Sequence, residues 1–129
     1  MPFNEAGRAP NENVVHSYCA ACNEQDKLKR LLMLTEALTP DVRYVDPAVE
    51  ISGREALVAH IEVVFACYPG STILRTTRVD QHHNTARFGW KKVLADGSSL
   101  ADSVDFLEFA SDGKISLIVG FFGPLAAGQ

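Results

Sequence analysis

The sequence predicts an α+β domain in which helices pack on one face of an antiparallel sheet. Three observations carry this. Apolar residues recur at helical spacing before Gly70, the chain after Gly70 alternates in polarity, and Asp-Gly pairs stand at 96–97 and 112–113. These are the periods of a one-sided helix and a half-buried strand. Helices first and consecutive hairpins afterwards give segregated layers. A curved sheet of that kind leaves a pocket between its concave face and the helices.

Residues 1–11 hold Pro2, Asn4, Gly7, Pro10 and Asn11 and read as a flexible N-terminal arm; 12–124 form a single domain and 125–129 a C-terminal tail. From about Asn13, the positions of Val14, Val15, Tyr18, Cys19 and Cys22 predict a first helix. After the polar break Asn23-Glu24-Gln25-Asp26, a second is marked by Leu28, Leu31, Leu32 and Leu38. Pro40 stops it, because proline lacks an N–H and clashes with the preceding turn. Residues 41–46, with Val42, Tyr44 and Val45 among them, are a short strand candidate. Ser52-Gly53-Arg54-Glu55 has the capping-box pattern, in which the Ser52 hydroxyl accepts from the Glu55 amide. Leu57, Val58, Ile61, Val64 and Phe65 then follow at helical spacing until Tyr68-Pro69-Gly70. Strand candidates run over 72–79, 85–94, 99–109 and 114–122. The glycines of the Asp-Gly pairs supply the positive φ that short hairpins require.

At 129 residues the chain has the length of one ordinary domain, and 47% apolar with 22% charged residues is the composition of a soluble globular protein. A net charge of −4 gives no electrostatic reason to bind nucleic acid or an anionic membrane, and neither is expected as a partner. No apolar run approaches the roughly 18–20 residues that span a bilayer. Met1-Pro2-Phe3-Asn4-Glu5 lacks the basic and apolar regions of a signal peptide. Three cysteines, an odd number, argue against a disulfide framework, and a cytoplasmic location is expected.

Asp105 is the most informative residue. On its strand candidate it shares a face with Ala101, Ser103, Leu107 and Phe109, where a carboxyl loses solvation and its neutral form is favoured. The plain alternative is a strand-edge aspartate paired with Arg75, Arg78 or Arg87. A second acid, Asp46, stands in Arg43-Tyr44-Val45-Asp46-Pro47. It is either a general base or the start of a turn, since Asp before Pro commonly initiates one. Tyr18 is either a ligand-facing hydroxyl or a core tyrosine. Cys19-Ala20-Ala21-Cys22 has metal-like spacing but no second ligand pair, so no metal is expected and the cysteines read as packing residues. His16 and His60 lie on helices with no third ligand in pattern. Phe88 and Trp90 share a strand face, where pocket lining and core packing merge.

In this order the chain resembles the nuclear transport factor 2-like superfamily, and within it the ketosteroid isomerase and SnoaL-like polyketide cyclase branch. The resemblance rests on Tyr44-Val45-Asp46-Pro47 with Gly53-Arg54-Glu55-Ala56-Leu57, on Asp105-Phe106-Leu107-Glu108-Phe109 with Asp112-Gly113-Lys114-Ile115, and on the ending Val119-Gly120-Phe121-Phe122-Gly123-Pro124. It implies a cone-shaped curved antiparallel, or mixed, sheet with three helices on its concave face. It also implies proton abstraction beside a ketone, with Asp46 at the base, and Asp105 and Tyr18 holding the oxyanion. Ile61, Phe65, Phe88, Trp90 and Phe122 are then expected to line a pocket for a small, largely apolar carbonyl compound, with no cofactor. The two tyrosines that support the catalytic one in the best-known isomerases correspond here to Leu38 and Ile61, which puts steroid specificity in doubt. Members often pair through the outer sheet face, where Val104 and Phe106 lie, so a homodimer is expected. Two other readings stay open. One is a same-fold hydrolase or dehydratase, resembling limonene-epoxide hydrolase or scytalone dehydratase, with an Asp-Arg-Asp arrangement using Arg43, Arg78 or Arg87. The other is a non-catalytic ligand-binding or dimerisation module.

Overall fold

A computed structural model describes residues 11–128, so the expected arm over 1–11 lies almost wholly outside the described residues. Helices α1 (Glu12–Cys22) and α2 (Lys27–Ala37) are followed by strands β1 (Leu38–Val45) and β2 (Glu50–Ser52), then helix α3 (Arg54–Cys67). Strands β3 (Thr72–Arg75), β4 (Asp80–His82), β5 (Thr85–Val93), β6 (Ser103–Phe109) and β7 (Ile115–Phe121) complete the domain. The sheet order is β2-β1-β7-β6-β5-β3, with β4 also on β5. Among the described residues only β1 and β7 pair in parallel, so the sheet is mixed, as the family resemblance implies. Among the described residues no helix is long and apolar enough to cross a membrane.

The second helix ends earlier than its leucine spacing predicts. Leu38 is already extended (φ −119°, ψ 149°) and fully buried, and Pro40 lies inside β1 instead of stopping a helix. The residue before a proline is biased to extended backbone, which favours this early start. Proline cannot donate to a ladder, and β1 is irregular against β7 where Pro40 sits, between the pairs Leu38–Ile115 and Arg43–Leu117. The buried stripe of α2 also differs. Leu28 and Leu32 are exposed, while Arg30 is fully buried. Arg30 tolerates burial because its donors reach Glu24 O, Gln25 O and Glu62 Oε1, and its guanidinium stacks 4.9 Å from the Phe65 ring centroid.

The capping box is not formed. Gly53, at φ 96°, is the N-cap of α3, and no side chain caps the helix. Ser52 instead pairs with Arg43 in β2, which commits it to the ladder. The strand expected over 72–79 ends at Arg75, and β4 begins only at Asp80. Between the pairs Arg75–Trp90 and Asp80–Arg87, the outer strand carries four residues opposite two on β5. Such an excess bends a sheet. Gly89 makes room for it: a Cβ there would lie 2.8 Å from Thr76 Oγ1 and 2.9 Å from Thr77 Cγ2. The core fills the concave side with Val15, Leu34, Leu57, Leu107 and Ile118, all essentially inaccessible to solvent.

Candidate active site

The sheet register puts the two acids in one row. Val45 partners Val119 across β1 and β7, Asp105 partners Gly120 across β6 and β7, and Phe88 partners Asp105 across β5 and β6. Asp46 follows Val45, so Asp46, Gly120, Asp105 and Phe88 succeed one another across the sheet. Glycine in this row matters because it leaves the space between the acids open. A Cβ at Gly120 would lie 3.1 Å from Asp105 Oδ1 and 3.4 Å from Asp46 Cβ.

Asp105 occupies the inner face of β6, whose residues alternate buried and less buried from Ser103 to Phe109. It is only 6% exposed, and its Oδ1 accepts a 3.0 Å hydrogen bond from the Trp90 indole. Burial pushes its carboxyl up to about 7; the Trp90 bond works against that rise, and the nearby Asp46 adds to it. The arginine pairing considered from sequence is not what holds it. Arg75 lies beside Glu12, and Arg87 pairs with Asp80 on the surface.

Asp46 is held by three donors. Its Oδ1 accepts from the amides of Ala48 (2.8 Å) and Val49 (3.1 Å), and its Oδ2 accepts from the Tyr44 hydroxyl at 2.6 Å. The turn reading is therefore correct as geometry, and it orients a carboxylate that also lines a cavity. A carboxylate offers about four lone-pair directions, so one remains for a ligand. Tyr44 stands two residues earlier on the same strand face, and its ring lies 5.7 Å from His60. Burial, then the bond to Asp46, holds the Tyr44 hydroxyl well above the ordinary tyrosine range, so it stays a donor.

The main cavity has a volume of about 420 Å³. Asp46, Tyr44, His60 and Trp90 line it together with Ile61, Phe65 and Phe122. The Phe122 ring meets Trp90 edge-on at 6.0 Å. Asp105, Tyr18 and Phe88 do not line this cavity. They border an adjoining recess of about 40 Å³, which shares Trp90, Cys22 and Ile73 with the main one. Asp46 and Asp105, expected to act on one substrate, thus border two adjoining spaces that share Trp90, whose indole bonds Asp105. Tyr18 is 4% exposed, and burial raises its hydroxyl well above the ordinary range. Burial also pushes the Cys19 and Cys22 thiols up to about 12, so both stay protonated and weakly nucleophilic.

Tyr44, His60, Lys92 and Gly120 are among the cavity or row residues that escaped the sequence reading of the site. Two of them carried a signal. Tyr44 is two residues from Asp46, and Lys92 is two from Trp90, so strand alternation puts each on its neighbour's face. The Asp-Arg-Asp arrangement finds no support in the lining. Among the described residues, Arg43, Arg78 and Arg87 line neither cavity, and Arg43 is tied to Glu50 on the exposed side.

Fold and site together define a small α+β domain whose curved sheet and helices enclose a mostly apolar cavity with Asp46 at its wall and Asp105 on an adjoining recess. The chain belongs to the SnoaL-like domain family, which it matches over residues 15–118. No curated protein matches it in sequence. Among solved structures it resembles a candidate isomerase of the SnoaL-like family from Agrobacterium tumefaciens, at 29% identity and a TM-score of 0.84, over 90% of this chain and all of that one. A candidate SnoaL-like polyketide cyclase from Jannaschia is 16% identical with a TM-score of 0.66, covering 88% of each chain. A cystatin-like fold protein of unknown function from Methylobium petroleophilum is 21% identical with a TM-score of 0.73, covering 95% of this chain and 82% of that one. The last two likenesses concern fold alone.

Proposed function

We propose that the protein is an isomerase- or cyclase-like enzyme that removes and returns a proton beside the carbonyl of a small, largely apolar compound. The observation that carries this reading is the pair of carboxyl groups on either side of Gly120, one oriented at the cavity wall and one buried with its carboxyl raised to about 7. In this mechanism Asp46 takes the proton from the carbon, and the substrate body lies against Ile61, Phe65, Trp90 and Phe122. The carbonyl oxygen enters the recess that Tyr18 and Asp105 border. A recess of about 40 Å³ suits one such atom or one water. There protonated Asp105 and the Tyr18 hydroxyl stabilise the enolate, while Phe88 closes the recess behind them. A placed general base contributes roughly 10²–10⁴-fold, and an oxyanion donor a comparable or larger factor.

Proton exchange tests this without the natural substrate. Wild type should speed deuterium incorporation beside the carbonyl of aryl ketones in D₂O, followed by NMR, and Asp46→Asn should lose about 10² or more of that rate. An Asp46→Asn rate equal to wild type would remove Asp46 from the mechanism. We also propose a homodimer through the outer sheet face. Its support is that Val104 and Phe121 are cross-strand partners, exposed at 41% and 61%. Sedimentation that stays monomeric at high micromolar concentration would reject it.

A further inference from the structure

Lys92 is the one lysine or arginine among the residues lining the main cavity, and its position there is built by the sheet. It follows Phe88 and Trp90 by alternation on the inner face of β5, and it pairs with Ile73, another cavity residue. Its ammonium lies 5.3 Å from the ring centroid of Tyr68, just past the end of α3. Among the described residues no carboxylate stands within ion-pair distance of it. Leu100, Ala101 and Ile73 give the neighbouring wall apolar surface, and the Asn23 side chain beside them is engaged by the Ile73 backbone. Lysine heads are strongly hydrated and normally reach for water. Here burial lowers the ammonium below its ordinary range, the sign of a charge set in a poorly solvated wall without a counter-ion. A cation near a helix C-terminus also suits the helix dipole, but the dipole asks only for a charge, not for one lining a cavity.

Resting on the reading above, we propose that Lys92 binds the carboxylate of the substrate, which is therefore an apolar carbonyl compound with an acidic end. Asp46 and Lys92 lie three strands and four residues apart in the sheet, roughly 15–20 Å on a flat sheet and less on a curved one. The compound that meets both is elongated. The arrangement also separates two negative charges: the carboxylate sits at the cation, and the reacting carbon sits at the base. Because the protein as a whole carries a charge of −4, a preference for anions has to come from a local cation.

The test uses 2-naphthoate and its neutral counterpart 2-acetonaphthone, titrated by calorimetry and by quenching of Trp90, the sole tryptophan and a cavity residue. Wild type should bind 2-naphthoate at least tenfold more tightly. Lys92→Met should abolish that preference while leaving 2-acetonaphthone affinity within about twofold, and Lys92→Arg should keep the preference. Equal affinity of wild type for the two, or a preference that survives in Lys92→Met, overturns the assignment of Lys92 and leaves the carbonyl-binding cavity standing. Binding of neither probe overturns both. Should Lys92→Met not fold, equal affinity of wild type for the two probes still overturns the assignment, and retention of the preference in Lys92→Arg still supports it.

Discussion

Replacing Asp105 by asparagine should make the protein more stable at alkaline pH, and the structure sets the size of the gain. Folded Asp105 holds its proton up to about 7, whereas the free side chain releases it near 3.8. Between those values the folded state binds a proton that the unfolded state has lost. The stabilisation from that proton is therefore full below pH 3.8 and is lost as pH rises to about 7. Across this window ionisation of the buried carboxyl costs the fold about 4 kcal/mol. Asparagine keeps an oxygen to accept from Trp90 Nε1 and never ionises. The difference in stability between Asp105→Asn and wild type should consequently grow in favour of the variant by about 4 kcal/mol from pH 4 to pH 9. For a domain of this length that is on the order of 10–15 °C in melting temperature. Thermal melts of both proteins by circular dichroism, at one-unit pH steps, measure it directly. Titrations of groups that do not interact with Asp105 are common to the two proteins and cancel. A difference in melting temperature that stays constant from pH 4 to pH 9 would refute the claim that Asp105 is desolvated.

Trp90→Phe removes the indole donor that opposes the rise of Asp105, so the carboxyl should titrate above its wild-type value in a carbon-13 NMR titration; an unchanged or lower midpoint contradicts the 3.0 Å bond as the cause. Gly120→Ala puts a methyl 3.1 Å from Asp105 Oδ1 and should cost roughly 1–3 kcal/mol in urea unfolding, with loss of proton exchange; a variant as stable and active as wild type means the gap is not needed. Tyr44→Phe deletes the 2.6 Å bond to Asp46 Oδ2 and should cost about 0.5–1.5 kcal/mol in the same assay, less if water replaces the hydroxyl.

What the sequence determined by itself rests on local periods. The inner face of β6, with Ser103, Asp105, Leu107 and Phe109 all buried, follows from alternation because successive side chains point to opposite faces of any strand. The turn glycines at 97 and 113 have the positive φ expected of their Asp-Gly pairs. Helix α1 and the inward residues of α3 follow from spacing in the same way, as Val15, Tyr18, Leu57 and Ile61 are buried. The tertiary structure decided whatever depends on partners far apart in the chain. Pro40 sits in a strand because β7 supplies the neighbour of β1, and Arg30 is buried because Glu62 and Phe65 on another helix satisfy it. The site is of this second kind. Asp46 and Asp105 flank Gly120 only because two inter-strand registers put it between them, and Lys92 lines a cavity only because α3 ends above it. Register is a relation between strands distant in sequence, and no local period carries it.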